Sequence, residues 1–321
     1  MAFLLKLVVL LLCLLGVLAA YTAAGTWRAE RSNPPLGEFI TVQGLRIHYY
    51  EKGQGIPIVL IHGASSNLRD LETIVNNVGQ EHRAIAFDRP GYGYSERPSD
   101  AWPDPGRQAQ FLHDALEKLG VERPILVGHS WSGSVVLAYL LDYPEDVAGG
   151  VLLAGALSPW GGGVAWYNRI AGWPVVGPLF ARTLVHPIGQ ALMQPYIAAV
   201  FAPEQPPEDY AERTGAVLAL RPNAFRASAE DVTLLSDYLE RQSVRYDEIK
   251  TPLLLVTGEK DTIVPAWNHA DRLAERLPHA KHVELSGAGH AIHQSREEEV
   301  GRLIADFAKR AVTSEERQVQ H

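Results

Sequence analysis

Six short apolar runs recur along the chain: IPIVLIHG, HRAIAFD, PILVGHS, AGGVLLAG, LLLVTG and HVELSG. Most end in glycine or a small polar residue. Runs this short, apolar at successive positions, read as strands buried on both faces, which is the condition of parallel sheets covered by helices. The intervening segments carry helical spacing: 67–79, then 105–120 with Leu112, Leu116 and Leu119 in register, then 133–143 and 266–277. A last helix is expected over 296–310. The alternation predicts an α/β fold with a doubly wound, mostly parallel sheet. Ahead of it, FITVQGLRIHYYEKG alternates apolar and polar residues about Gln43-Gly44, a β-hairpin signal.

The rhythm breaks between Leu157 and Lys250, a stretch rich in proline and aromatic residues that includes Gly161-Gly162-Gly163. It interrupts the sheet, so residues 157–250 are expected to form a helical cap over one end of it. The catalytic domain is then 38–156 with 251–312, and residues 313–321 are a polar, frayed tail. The aromatic residues of the cap suit a hydrophobic substrate group. They equally suit the cap's own small core.

Residues Leu7 to Gly25 are almost wholly apolar. As a helix they would extend for about 28 Å, close to the thickness of a bilayer's hydrocarbon. Residues 1–27 therefore read as a signal peptide cleaved after Ala20 or Ala24, or as an uncleaved membrane anchor, with the long apolar run favouring the anchor. Residues 28–37 read as a linker, and 1–27 as dispensable for catalysis. Such a leader places the catalytic domain on the periplasmic or extracellular side of the membrane.

The net charge of −8 and the scattered Lys and Arg residues argue against a nucleic-acid partner. The single cysteine, Cys13, lies in the apolar run and rules out an intrachain disulfide. No metal cluster, phosphate loop or dinucleotide fingerprint is apparent, so no cofactor is expected.

PILVGHSWSG places Ser130 at a strand-to-helix turn between the small residues Gly128 and Ser132. A nucleophile on a tight, strained turn needs small neighbours, and the usual pattern is G-x-S-x-G; here serine stands at the last position. IHGA ends an earlier strand, so the backbone N–H groups of Ala64 and Trp131 are candidate oxyanion donors, with His62 a structural histidine. GEKDTIVP sets Asp261 after one strand, and GAGHAIH sets His290 after the next, with His293 as a nearby competitor. Serine, aspartate and histidine at strand ends, in that chain order, supply a nucleophile, an orienting acid and a base.

The segments IHGASS, DRPGYGYS, GHSWSG, GEKDTIVP and GAGHAIH together resemble the capped branch of the α/β-hydrolase superfamily, over about residues 38–310. The resemblance implies Ser130 as nucleophile, Asp261 as acid, His290 as base, and Ala64 and Trp131 as oxyanion donors. It implies structural roles for Asp88, Gly91 and Gly93. A serine nucleophile in place of a carboxylate argues against epoxide hydrolysis and dehalogenation. Cleavage of a small, hydrophobic carboxylic ester is expected. Carbon–carbon or lactone hydrolysis and cofactor-free haloperoxidase-like activity are the alternatives, and a non-enzymatic binding protein of the same fold is a further one.

Overall fold

The structure is a computed structural model that describes residues 1–98, 102 and 104–319, with side chains described to Thr313. In chain order the elements are α1 (Ala2–Ser32), β1 (Glu38–Val42), β2 (Leu45–Lys52), β3 (Pro57–Ile61), α2 (Glu72–Val78), β4 (Arg83–Phe87), α3 (Pro105–Lys118), β5 (Ile125–His129), α4 (Gly133–Asp142) and β6 (Gly149–Leu153). There follow α5 (Trp166–Ala171), α6 (Val176–Thr183), α7 (Val185–Phe201), α8 (Tyr210–Arg213) and α9 (Pro222–Gln242). The chain closes with β7 (Leu253–Gly258), α10 (Ala270–Arg276), β8 (Lys281–Leu285), α11 (Ile292–Ser295) and α12 (Glu297–Val319).

The eight strands form one sheet in the order β1-β2-β4-β3-β5-β6-β7-β8. β2 pairs antiparallel with β1 and β4, and every other pairing is parallel. The β1–β2 turn is the expected two-residue one: Gln43 and Gly44 both have positive φ, which matches the twist of the flanking strands. The apolar runs are strands because both their faces are covered. Val59, Ile61, Leu126, Leu152, Leu253 and Leu255 pack with α3, α4 and α10 on one side. Ile58, Leu60, Val127, Val151, Leu254 and Val256 pack with α2 and α12 on the other.

The interval between β6 and β7 holds α5 to α9, so the break in rhythm marks a helical insertion. The polar tail is mostly helix: α12 runs to Val319, and residues 320 and 321 lie outside the described residues. Residues 28–32, read as linker, are helix too. α1 ends only at Asn33, whose backbone and side-chain N–H groups both donate to the Ala29 carbonyl.

α1 is long and apolar enough to cross a membrane, and no residue of its most apolar stretch is buried. Its second half behaves differently. Leu15, Leu18, Ala19, Thr22, Gly25, Thr26 and Ala29 recur at helical spacing and are partly or fully covered, against α6 and α7. A β-carbon at Gly25 would overlap the His186 ring, so only glycine permits that approach. This revises the expectation for residues 1–27. Deletion through residue 14 removes exposed helix alone, whereas deletion through residue 27 uncovers the cap surface beneath Thr22 and Gly25. In detergent, the longer truncation is expected to melt about 5 °C below the shorter one. Equal melting temperatures would show that this contact contributes nothing to the fold.

Candidate active site

β3 and β5 are neighbours, yet α2 and α4, which follow them, lie on opposite faces of the sheet. The carboxyl ends of the two strands therefore flank an open crevice, the usual position of a ligand site in such sheets. Four loops reach this edge. His62-Gly63-Ala64 follow β3, Ser130 follows β5, Asp261 follows β7, and His290 follows β8.

Ser130 turns the chain from β5 into α4 with a φ of 52°, a left-handed conformation that costs a serine energy and thrusts its side chain clear of the backbone. It is partly exposed, whereas His290 and Asp261 are buried. His290 Nε2 stands 2.9 Å from Ser130 Oγ, and His290 Nδ1 stands 2.7 Å from Asp261 Oδ2. The second oxygen of Asp261 accepts backbone N–H bonds from Ile263 at 2.8 Å and Val264 at 2.9 Å. Burial pushes the Asp261 carboxyl up, but His290 and these two N–H groups outweigh it and hold the group below its usual range. An ionised Asp261 bound to Nδ1–H leaves the Nε2 lone pair facing the serine hydroxyl. That arrangement can take a proton from Ser130 and return it to a leaving group.

The loop that carries Ala64 adjoins the turn that carries Trp131. A β-carbon on Gly63 would lie 3.1 Å from Ser130 Cβ, so the turn after β3 passes directly against the nucleophile. Trp131 is buried, its indole N–H donates to the Asp231 carbonyl at 3.0 Å, and the Arg89 guanidinium lies 4.1 Å from its ring centroid. Ser132, at the position where glycine is usual, is fully buried and donates its hydroxyl to the His62 carbonyl at 2.5 Å. It ties the elbow to the end of β3. Ser132→Ala is expected to cost about 1–2 kcal/mol in urea unfolding, by leaving a buried carbonyl unpaired, with turnover within a few-fold of wild type. Loss of turnover on the scale expected for Ser130 would show that the nucleophile had been misassigned.

His62 is held as a neutral structural group. Its Nε2 accepts from the Arg89 N–H at 3.0 Å, its Nδ1 donates to the Gly63 carbonyl at 2.8 Å, and burial lowers its pKa to about 4. Asp88 accepts from the Leu68 and Tyr94 N–H groups and from the His48 ring, and Gly93, with a φ of 47°, turns closely past it. His293 turns away from Ser130: its Nε2 contacts Asp70 at 3.0 Å.

Three features escape sequence reading. Asp70, buried, gathers His293, Tyr210 of the cap, Ser66 and Gln294. Burial pushes its carboxyl up, and His293 more than reverses this, holding it far below the usual range. Asp70, His129 and His293 bring potential ligand atoms within 4.8 Å of one another, but the Asp70 oxygens are already occupied by these hydrogen bonds. The second feature is Asp231 of α9, which binds Arg89 Nη1 at 2.7 Å, Arg97 Nη1 at 2.8 Å and the Tyr92 hydroxyl at 2.9 Å. No spacing rule links residues so far apart in the chain.

The third is His269, whose Nδ1 accepts the N–H groups of Leu157 and Ser158, both at 3.1 Å, where the chain enters the cap. Burial lowers its pKa from 6.5 to about 4. The folded state thus binds this proton less readily than the unfolded chain. Its contribution is fully present above pH 6.5 and is lost as pH falls toward 4, up to roughly 3 kcal/mol. His269→Asn can accept the same bonds without titrating, and is expected to flatten the pH dependence of urea stability in that window. An unchanged slope would remove His269 as its source.

Residues 56–296 match the protein family described as alpha/beta hydrolase fold. The chain is 27% identical to 2-hydroxymuconate semialdehyde hydrolase of Pseudomonas putida over 302 residues, 88% of this chain and 98% of that one. Among solved structures, a malate-bound thermophilic esterase from Thermogutta terrifontis superposes with a TM-score of 0.71 at 19% identity, covering 86% of this chain and 99% of its own. A membrane phospholipase A described as a bacterial virulence factor superposes with a TM-score of 0.68 at 24% identity, covering 97% of this chain and 98% of its own. At these identities both structures show likeness of fold. The breadth of the second match leaves too few residues outside it to omit α1.

Proposed function

The chain belongs to the α/β-hydrolase family, and from that premise we propose that it is a serine hydrolase that cleaves a carboxylic ester through an acyl-enzyme on Ser130. The observation that carries this reading is the hydrogen-bonded series Ser130–His290–Asp261 at the sheet's carboxyl edge. Ser130 Oγ attacks the ester carbonyl carbon while His290 Nε2 takes its proton. The N–H groups of Ala64 and Trp131 hold the negative oxygen of the tetrahedral intermediate. Its collapse breaks the acyl–oxygen bond, with His290 protonating the departing alkoxide, and a water activated by the same imidazole then releases the acid.

Carbon–carbon hydrolysis is the second reading, favoured by the relative from Pseudomonas putida. That relative's named substrate is a carboxylate. In this chain the arginine stacked on Trp131 is committed to Asp231, as is Arg97, which supports a neutral ester instead. A fluorophosphonate probe tests the shared premise of an activated serine. A p-nitrophenyl ester chain-length series run beside 2-hydroxymuconate semialdehyde then separates the two readings: turnover of the semialdehyde alone would overturn ester cleavage.

α1 anchors the protein in a membrane, with the catalytic domain outside the cytoplasm. Retention of the helix is supported by the burial of Thr22, Gly25 and Ala29, because cleavage after Ala20 or Ala24 would cut through that packing. N-terminal sequencing of the mature protein decides this, and a start after either alanine would overturn the anchor.

A further inference from the structure

We propose that the outer face of the cap, built from Trp166, Trp173, Val175, Val176, Leu179 and Leu192, is a second membrane-contact surface that lays the cap on the bilayer in which α1 is seated. The proposal rests on the anchor reading above and extends it from a tether to a docked face.

These side chains are unusually open. Val175 is 80% exposed, Trp166 59%, Leu192 56% and Trp173 55%. Soluble proteins scatter such residues singly, and clustered ones mark a contact surface. Here they cluster. Among the described residues after α1, ten large apolar side chains stand exposed within 166–196, and four elsewhere. They are also contiguous: Trp166 on α5 packs its ring 6.2 Å from Phe180 on α6, and Val176 and Leu179 share α6 with that phenylalanine.

The charge pattern is independent of the apolar one. Residues 147–203 contain no Asp or Glu in a chain of net charge −8. Their charged residues are Arg169 and Arg182, both exposed. Exposed tryptophan and aliphatic residues with arginine and no acid is the composition of a surface lying in the headgroup region of an anionic bilayer.

Continuity with α1 names the occupant. The Tyr21 hydroxyl donates to Gln190 Oε1 at 2.8 Å, the Tyr21 and His186 rings are 6.0 Å apart, and Gly25 touches His186. α1 thus runs along the first turns of α7, the same turns on which Ile188 and Leu192 are exposed. A bilayer that receives residues 2–21 therefore reaches the part of α1, from Leu15 on, that the cap already covers.

The test uses the full-length protein in liposomes of phosphatidylcholine and phosphatidylglycerol. Cys13 is replaced by serine, and single cysteines at Leu14, Val175 and Val244 carry an environment-sensitive fluorophore. The probe at 175 is expected to be quenched several-fold by lipids bearing a headgroup-level nitroxide, the probe at 14 by lipids bearing a nitroxide deep on the acyl chain, and the probe at 244 by neither. Quenching at 14 with none at 175 overturns the docked face and leaves the anchor standing, whereas absence of quenching at both overturns the anchor with it. In a second arm, Val175→Asp with Leu179→Asp is expected to slow hydrolysis of a long-chain ester dispersed in the liposomes at least tenfold, and to leave a water-soluble short-chain ester unchanged. Equal loss on both esters would assign these residues to folding and overturn the proposal. If neither ester is hydrolysed by the unaltered protein, ester cleavage fails, and the fluorescence result still decides the surface.

Discussion

Ser130→Ala is expected to lower ester hydrolysis a thousandfold or more while leaving the thermal unfolding curve close to that of the unaltered protein. The expectation follows from geometry. The hydroxyl is the one atom of the residue that meets His290, and alanine keeps the backbone and Cβ against Gly63. Relays of this kind act as a unit, so loss of the nucleophile removes nearly all the acceleration they provide, leaving what binding and oxyanion stabilisation supply. Stability is expected to change little or to rise, because alanine carries no hydroxyl to desolvate, and the positive φ at position 130 strains either residue. Turnover within tenfold of wild type, with the same variant unlabelled by fluorophosphonate, would show that hydrolysis proceeds without a covalent serine intermediate.

Asp231→Ala is expected to lower the stability of the fold by about 3–5 kcal/mol, the range found when one member of a buried ion pair is removed. That is a large share of the roughly 5–15 kcal/mol by which a domain is ordinarily stable. Arg89 and Asp231 are almost completely buried, and Arg97 nearly so. Alanine would strand the Arg89 guanidinium with little water to replace the carboxylate, and would leave Arg97 with Glu230 as its remaining acidic partner. Asp231→Asn keeps the acceptor oxygen and the shape, and is expected to recover part of the loss. The two variants together separate charge from packing. A urea unfolding free energy for Asp231→Ala within 1 kcal/mol of wild type would show that the pairing contributes little more than a surface bridge does.

The architecture was legible in the sequence because burial on both faces leaves a continuous apolar record, and β3, β5, β6 and β7 carry it plainly. The positions of the candidate site residues were legible for a related reason. Ser130 follows β5 directly, and Asp261 and His290 lie on the loops that leave β7 and β8, so locating the strands located these candidates. Asp231 and Asp70 lie on segments whose sequence shows only amphipathic helix or loop. Their meaning depends on Arg89 and His293, 142 and 223 positions away, and no local pattern encodes such a pairing. The second half of α1 misled for the opposite reason. Its small residues look like the end of an apolar span, and the helical stripe they form is recognisable only beside the cap surface it meets.

In the proposed anchored arrangement, a helix that runs without a break from Ala2 to Ser32, and lies against the cap for its second half, leaves no joint between the anchor and the cap. A domain on a flexible tether samples a volume around its anchor and meets dissolved substrate by diffusion in three dimensions. A domain held on a stiff rod has one height and one orientation above the surface. Its turnover is then governed by how many substrate molecules occupy each unit of surface around it. Diluting the substrate with inert lipid at fixed bulk concentration should slow such an enzyme, and adding water at fixed surface composition should not.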